Sequence, residues 1–372
     1  MKDKIESIQI LRGLAALSVV LFHYRYYLVP DGSSVAIPNM LFGWGAIGVD
    51  LFFVISGFIM VYITNGKTVG MKASFEFIVN RLTRILPTYY IILLFVFLTG
   101  GAMSIFHYPE KTNTLISALT FHPYTNSPAP LYINDEGMFN VRWTLNYELY
   151  FYLAFSLCLL VRHRLLALAC WFSFPAILAC FTGQNVTFLT AGYEFNSSLL
   201  RFFTNPIIIE FGFGMLTGYL YKHFKGRNEK LFFALAILTL ATTIYLVVTG
   251  RLPAYNLSTS FVFSLLVLFF ALGNNIIVKV TPSPVIVLGN ISFSWYLLHS
   301  PLASFISDKV EKEHPNLMHS SLGFIALIAI SILIAFLSHK YIEIKLSNGI
   351  RLIIKKLALD KDRHFKKDTQ VD

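Results

Sequence analysis

The sequence predicts an all-α, polytopic integral membrane protein of about ten transmembrane helices, with both termini in the cytoplasm. Three observations carry this reading. Hydrophobic residues make up 55% of the 372 and charged residues only 13%, with 35 phenylalanines. Several apolar runs exceed the roughly 18 residues that suggest a spanning helix. Lysines and arginines divide unevenly between the two sides that such spans create.

Ten spans are read, at about 8–28, 46–64, 85–101, 144–161, 165–182, 205–221, 231–249, 258–274, 285–306 and 321–341. The first is too long for a signal peptide and no small-residue cleavage site follows it, so it is kept as a span. With an even number of spans, one side collects 22 Lys and Arg, nine of them in the tail from Lys340 to Lys367. The other side holds Arg25, Lys111, Arg142, Arg201, Arg251, Lys309 and Lys312. The richer side is the cytoplasm by the positive-inside bias. The domain plan is then a membrane domain over 1–345 and a basic cytoplasmic tail over 346–372. The net charge of +10 reflects this bias and a tail beside anionic lipid rather than nucleic-acid binding. The longest loop, about 102–143, is external and carries Pro109, Pro123, Pro128 and Pro130. Its length makes it a candidate lid over an external site. Cys158, Cys170 and Cys180 all fall in spans, have no metal-ligand spacing, and read as small core residues.

The polar residues inside the spans can be placed by depth. The first span runs outward through "RGLAALSVVLFH". Eleven residues at 100° each leave Arg12 and His23 about 20° apart around the axis and about 16 Å apart along it. They share a face but lie towards opposite surfaces. An arginine at a helix centre costs roughly 2.5–3.5 kcal/mol on insertion scales, so it either snorkels or lines a site. Asp50, in "GVDLFFVISGFIM", falls near the outer end of the second span, where it can cap a helix N-terminus or serve a site. Arg81 and Arg84 lie three apart at the inner end of the third span, just before Pro87. They serve either as inside anchors or as a guanidinium pair for phosphate. Glu148, in "WTLNYELYFY", and His299, in "SFSWYLLHSPL", read as outer-half groups. Glu210, in "IIIEFGFGM", is another outer-half carboxylate, and its surroundings suggest no partner. Cations on the inside and histidines with carboxylates outside suit a donor bound through phosphates and a general base acting on a hydroxyl. The donor's reactive end must then reach across part of the membrane, which an acyl-pantetheine arm can do.

These segments together resemble the membrane-bound acyltransferase-3 family, whose members O-acylate cell-surface polysaccharides and related molecules. "RGLAALSVVLFH", "GVDLFFVISGF", "RLTRILP", "WTLNYELYFY" and "GNISFSWYLLHSPL" are similar, in order, to family segments from residue 12 to about 302. Thr144 stands where serine is usual and Phe293 where tyrosine is common. The resemblance implies a bacterial inner-membrane enzyme. It would transfer an acyl group, acetyl for choice, from cytosolic acyl-CoA to a hydroxyl of a lipid-linked O-antigen or other surface glycan. It marks Arg12, Arg81 and Arg84 for the donor and His23 for the chemistry. Asp50 or Glu148 would orient His23 or stabilise its imidazolium, and His299 would contact the acceptor; no metal is expected. An acyl-histidine intermediate is a second route. A transporter or flippase for a glycan or lipid precursor is the rival class; a non-catalytic scaffold is a third.

Overall fold

The computed structural model describes residues 4–354 and 356, except 31, 67, 101, 125–128 and 134–140. Ten helices of sixteen residues or more stand among the described residues, and there is no strand. They are α1 (Glu6–Tyr24), α2 (Gly48–Thr64), α3 (Met71–Thr99), α4 (Arg142–Cys158) and α5 (Arg164–Phe181). The second half holds α6 (Ile208–Phe224), α7 (Glu229–Val248), α8 (Leu257–Leu272), α9 (Ser283–Val310) and α10 (Ser321–Ser338). Eight described helical segments are long and apolar enough to cross a membrane. A ninth is α8 taken with the short helix Asn274–Val280, a pair bent by 85°.

The expected fourth span is the exception. It is α4, with 17 residues, or about 26 Å, short of the roughly 30 Å hydrocarbon core. Most of its residues are buried, including Arg142 at 0% exposure, so α4 is an interior helix held by neighbours more than by lipid. Helix α10 runs on through a wider turn, His339–Leu346, to Ile354. Of the expected tail, 346–354 is therefore helical and 357–372 lies outside the described residues. In the long loop, helix Pro109–Thr120 packs under α3, where Tyr89 donates to the Ala118 carbonyl (2.7 Å) and Tyr90 to that of Leu119 (2.9 Å).

Close backbone approaches set the helix pairs. A methyl group on Gly13 would lie 2.8 Å from the Gly289 nitrogen, and one on Gly289 would overlap the Gln9 carbonyl. Gly57 and Gly214 do the same for α2 and α6, against the Phe211 and Val54 carbonyls. Small residues at such crossings let membrane helices gain dispersion contacts without a hydrophobic driving force. The contacts also give direction. Gly13 faces Gly289 and Tyr24 bonds the His299 carbonyl (2.8 Å), so α1 and α9 are parallel. Ser74 meets Ser156 (2.8 Å) and Phe77 meets Tyr152, so α3 and α4 are antiparallel. Trp295 donates to Ser331 (2.9 Å) while Ser338 donates to Ser294 (3.3 Å), so α9 and α10 are antiparallel too.

One expectation about the core is corrected. Cys158 is buried, but Cys170 and Cys180 are exposed, because α5 sits at the rim of the bundle.

Candidate active site

Two polar clusters lie inside this apolar bundle. The first is built around arginines. Helix α1 carries Arg12, whose Nη1 donates to Gln9 Oε1 one turn earlier (3.1 Å). Helix α3 presents Arg81 and Arg84 three residues apart, hence on one face. All three line a cavity of about 70 Å³ together with Ser56, Thr144, Glu148, Tyr152 and Tyr296. The same three arginines line a larger cavity of about 400 Å³, with Lys4, Asn290 and Glu343, so the two spaces meet there.

Three arginines face two carboxylates, Glu148 and Glu343, across these cavities. Among the described residues, no carboxylate forms an ion pair with Arg12, Arg81 or Arg84. Glu148 is occupied by hydroxyls: Ser56 Oγ donates to it (3.2 Å), and so does the Tyr152 hydroxyl. Glu343 accepts from Ser294 Oγ (3.0 Å) and from His339 Nδ1 (2.9 Å). Arg81 lies 5.9 Å from the rings of both Phe77 and Tyr152, and its buried Nε has no hydrogen-bond partner among the described residues. An unsatisfied buried guanidinium donor is expensive, and an anionic ligand would satisfy it.

The second cluster is a histidine pair. His23 and His299 meet with His299 Nε2 at 3.3 Å from His23 Nδ1 and ring centroids 4.9 Å apart. His23 Nδ1 also lies 2.9 Å from the Val19 carbonyl, and His299 Nδ1 lies 2.6 Å from the Tyr296 carbonyl. A carbonyl only accepts, so each Nδ1 is the protonated nitrogen. The Nδ1–H of His23 is then shared between Val19 O and His299 Nε2. This leaves Nε2 of His23 as the basic nitrogen, without a partner among the described residues. Tyr296 joins the two clusters: its side chain lines the arginine cavity, and its carbonyl holds His299. Its hydroxyl bonds Thr144 (2.8 Å), another residue of the cavity wall.

The other expected groups lie elsewhere. Neither Asp50 nor Glu148 hydrogen-bonds His23; His299 occupies that position. The carboxylate of Asp50 accepts from the backbone amides of Tyr255 and Asn256, both at 3.0 Å. Asn256 in turn caps α8 through Ser258 N (2.9 Å), so Asp50 anchors the turn that starts α8. Glu210, for which the sequence suggested no partner, is fully buried beside Asp50. Glu148 sits with the arginines rather than at the histidine end. Lys4, Ser56, Tyr152 and Glu343 were not singled out from the sequence. They reach the site through helix packing and bear no local pattern. Among the described residues, no group of three or more His, Cys, Asp or Glu is placed to hold a metal.

Apolar helices closed around a cation-lined cavity define a multi-pass membrane protein with an interior polar site. Over residues 5–340 the chain matches the family model described as "Acyltransferase domain", and it belongs to that acyltransferase-3 family. It is an O-acyltransferase. It is also 30% identical over 267 residues to "Exopolysaccharide production protein ExoZ" of Rhizobium meliloti (strain 1021), covering 71% of this chain and 78% of that protein. No solved structure matches the chain.

Proposed function

We propose that the protein transfers an acyl group, acetyl in the simplest case, from cytosolic acyl-CoA to a hydroxyl of a surface glycan. The acceptor would be a lipid-linked O-antigen or a related polysaccharide presented at the outer face of a bacterial inner membrane. Similarity to a protein named for exopolysaccharide production supports a polysaccharide acceptor. The observation that carries the reading is the pairing of a three-arginine cavity with a histidine pair that Tyr296, a residue of the cavity wall, holds through its carbonyl. On the topology drawn from the charge bias, the arginines face the cytoplasm and the histidines the outside. The donor's phosphates sit against Arg81, Arg84 and Arg12, and its arm runs past Glu148 and Thr144 towards the histidines.

In the transfer, the acceptor oxygen attacks the thioester carbonyl while its proton passes to Nε2 of His23. The carbon–sulfur bond breaks, and the imidazolium returns the proton to the leaving sulfur. His299, neutral and accepting at Nε2, stabilises the transient charge on His23. Asp50 contributes by holding the turn before α8 in place.

Purified protein in liposomes, supplied with labelled acetyl-CoA and a lipid-linked glycan, tests this. Label appearing on the glycan is the expected result. Movement of glycan without label would instead favour a flippase, and neither event would favour a scaffold.

A further inference from the structure

Beyond the two cavities above lies a third, of about 370 Å³, which joins the donor cavity at Lys4, Ile5 and Tyr62. Its far wall is the turn Lys225–Gly226–Arg227 between α6 and α7, and its floor carries Asn274 and Asn275. Gly226 has φ +84°, a conformation glycine adopts readily, and this reverses the chain so that both flanking cations line the same cavity. Glu229 is the one carboxylate in the lining, and it is occupied: it accepts from the Asn275 amide nitrogen (2.8 Å) and from Asn275 Nδ2 (3.4 Å). Among the described residues, neither Lys225 nor Arg227 forms an ion pair. Arg227 is steadied by the Phe224 ring, 5.0 Å away. The lining therefore offers two cations outside any ion pair, one carboxylate already engaged by Asn275, and amide groups, a combination suited to a phosphomonoester and the polar ring beside it.

We propose that this third cavity binds the ribose 3′-phosphate end of the donor, so that one acyl-CoA lies along three joined cavities. This rests on the acyl-CoA reading above. The acyl arm occupies the small arginine cavity, and the diphosphate lies in the larger one between Arg84 and Lys4. The nucleoside turns past Tyr62, and its 3′-phosphate meets Lys225 and Arg227. The headgroup phosphate of an anionic lipid shares this chemistry and is the alternative source.

The test measures equilibrium binding of acetyl-CoA and of acetyl-3′-dephospho-CoA to the full chain in neutral detergent. Because Lys225 and Arg227 are exposed and solvent-screened, their joint contribution is about tenfold in affinity. Wild type is expected to bind acetyl-CoA about tenfold more tightly than the dephospho donor. The variant carrying Lys225→Ala and Arg227→Ala is expected to bind both donors with the affinity that wild type shows for the dephospho form. That retained affinity is also the control for folding. Equal binding of both donors by wild type would overturn the subsite while leaving the donor reading intact. Equal weakening of both donors in the variant would likewise overturn it. Loss of wild-type discrimination on adding phosphatidylglycerol would assign the cavity to a lipid phosphate and overturn it as well. No binding of either donor by wild type would overturn the donor reading and this inference together.

Discussion

Replacing His299 by leucine removes the acceptor that faces His23 and nothing else that the chemistry needs. In the resting protein the cost is small, because His23 Nδ1–H keeps the Val19 carbonyl at 2.9 Å. The loss falls on the state in which His23 holds the acceptor's proton. There the bond to His299 becomes a hydrogen bond to a charged group, worth about 1.5–3 kcal/mol net. The bond is long at 3.3 Å and shares its hydrogen with Val19, so the lower end applies, about 1.5 kcal/mol. That corresponds to about a tenfold loss in kcat. Donor KM should hold, because the arginine cavity does not include His299. Glutamine can place an amide oxygen near the position of Nε2, so His299→Gln should recover most of the loss. The assay is glycan acylation at saturating donor for the two variants, alongside donor binding. Wild-type kcat in His299→Leu would refute the reasoning, as would a glutamine variant as slow as leucine when both bind donor normally.

The remaining expectations bear on the other parts of the site and on the fold. His23→Gln should cut turnover by about 10²–10⁴-fold with donor binding intact, the usual span for a lost general base; near-normal acylation would remove His23 from that role. Arg81→Ala and Arg84→Ala should weaken acetyl-CoA binding by roughly 1.5–3 kcal/mol each, with lysine restoring only part because the planar fork is lost. Unchanged affinity in both would return them to simple anchors. Gly214→Ala drives a methyl group into the Val54 carbonyl across the α2–α6 contact and should cost about 1–3 kcal/mol, read as a lower unfolding temperature in detergent. An unshifted transition would show that the helices do not approach so closely. A cysteine at position 120 should be labelled from outside intact cells; labelling only from the cytoplasm would reverse the topology and the two-sided mechanism with it.

The helices are legible in the sequence, and so is the depth order of Arg12 and His23, but the neighbours that packing brings to each are not. The eleven-residue spacing of Arg12 and His23 was enough to place them on one face at different depths, because a straight helix has only one geometry. The partner of His23 was not legible. It lies 276 residues away, brought there by the parallel α1–α9 crossing at Gly13 and Gly289. Glu148 falls in the outer half only if its depth is measured from the edge of a full-length span. The short α4 and its bonds to Ser56 and Tyr152 put Glu148 among the arginines instead. For Asp50 the capping alternative came nearer the structure, although the amides it holds belong to the turn before α8 and not to its own helix. In each case the missing information was tertiary, since a carboxylate's role depends on which donors the packing delivers to it.

The energetics of the arginine cavity bear on why this bundle tolerates it. A scaffold gains nothing from a buried guanidinium nitrogen without a partner, and substitutions that paired or removed it would stabilise the fold. A flippase would use such charges, but its passage must admit the whole glycan. The cavity that the arginines share with Tyr296, of about 70 Å³, is also walled by apolar side chains such as Phe52, Phe53 and Ile59, a lining suited to an acyl arm. An acyl arm lying there would leave the phosphates at the arginines and carry the reacting carbonyl past Thr144. The excess of arginines over carboxylates there suits a long, anionic-ended donor. Filling the passage without touching a charge tests this directly. Thr144→Phe should abolish acylation while leaving binding of adenosine 3′,5′-diphosphate, which lacks the arm, within about twofold of wild type, as expected if added bulk acts sterically. Acylation that survives the blocked passage would mean that the acyl group reaches the histidines by another route.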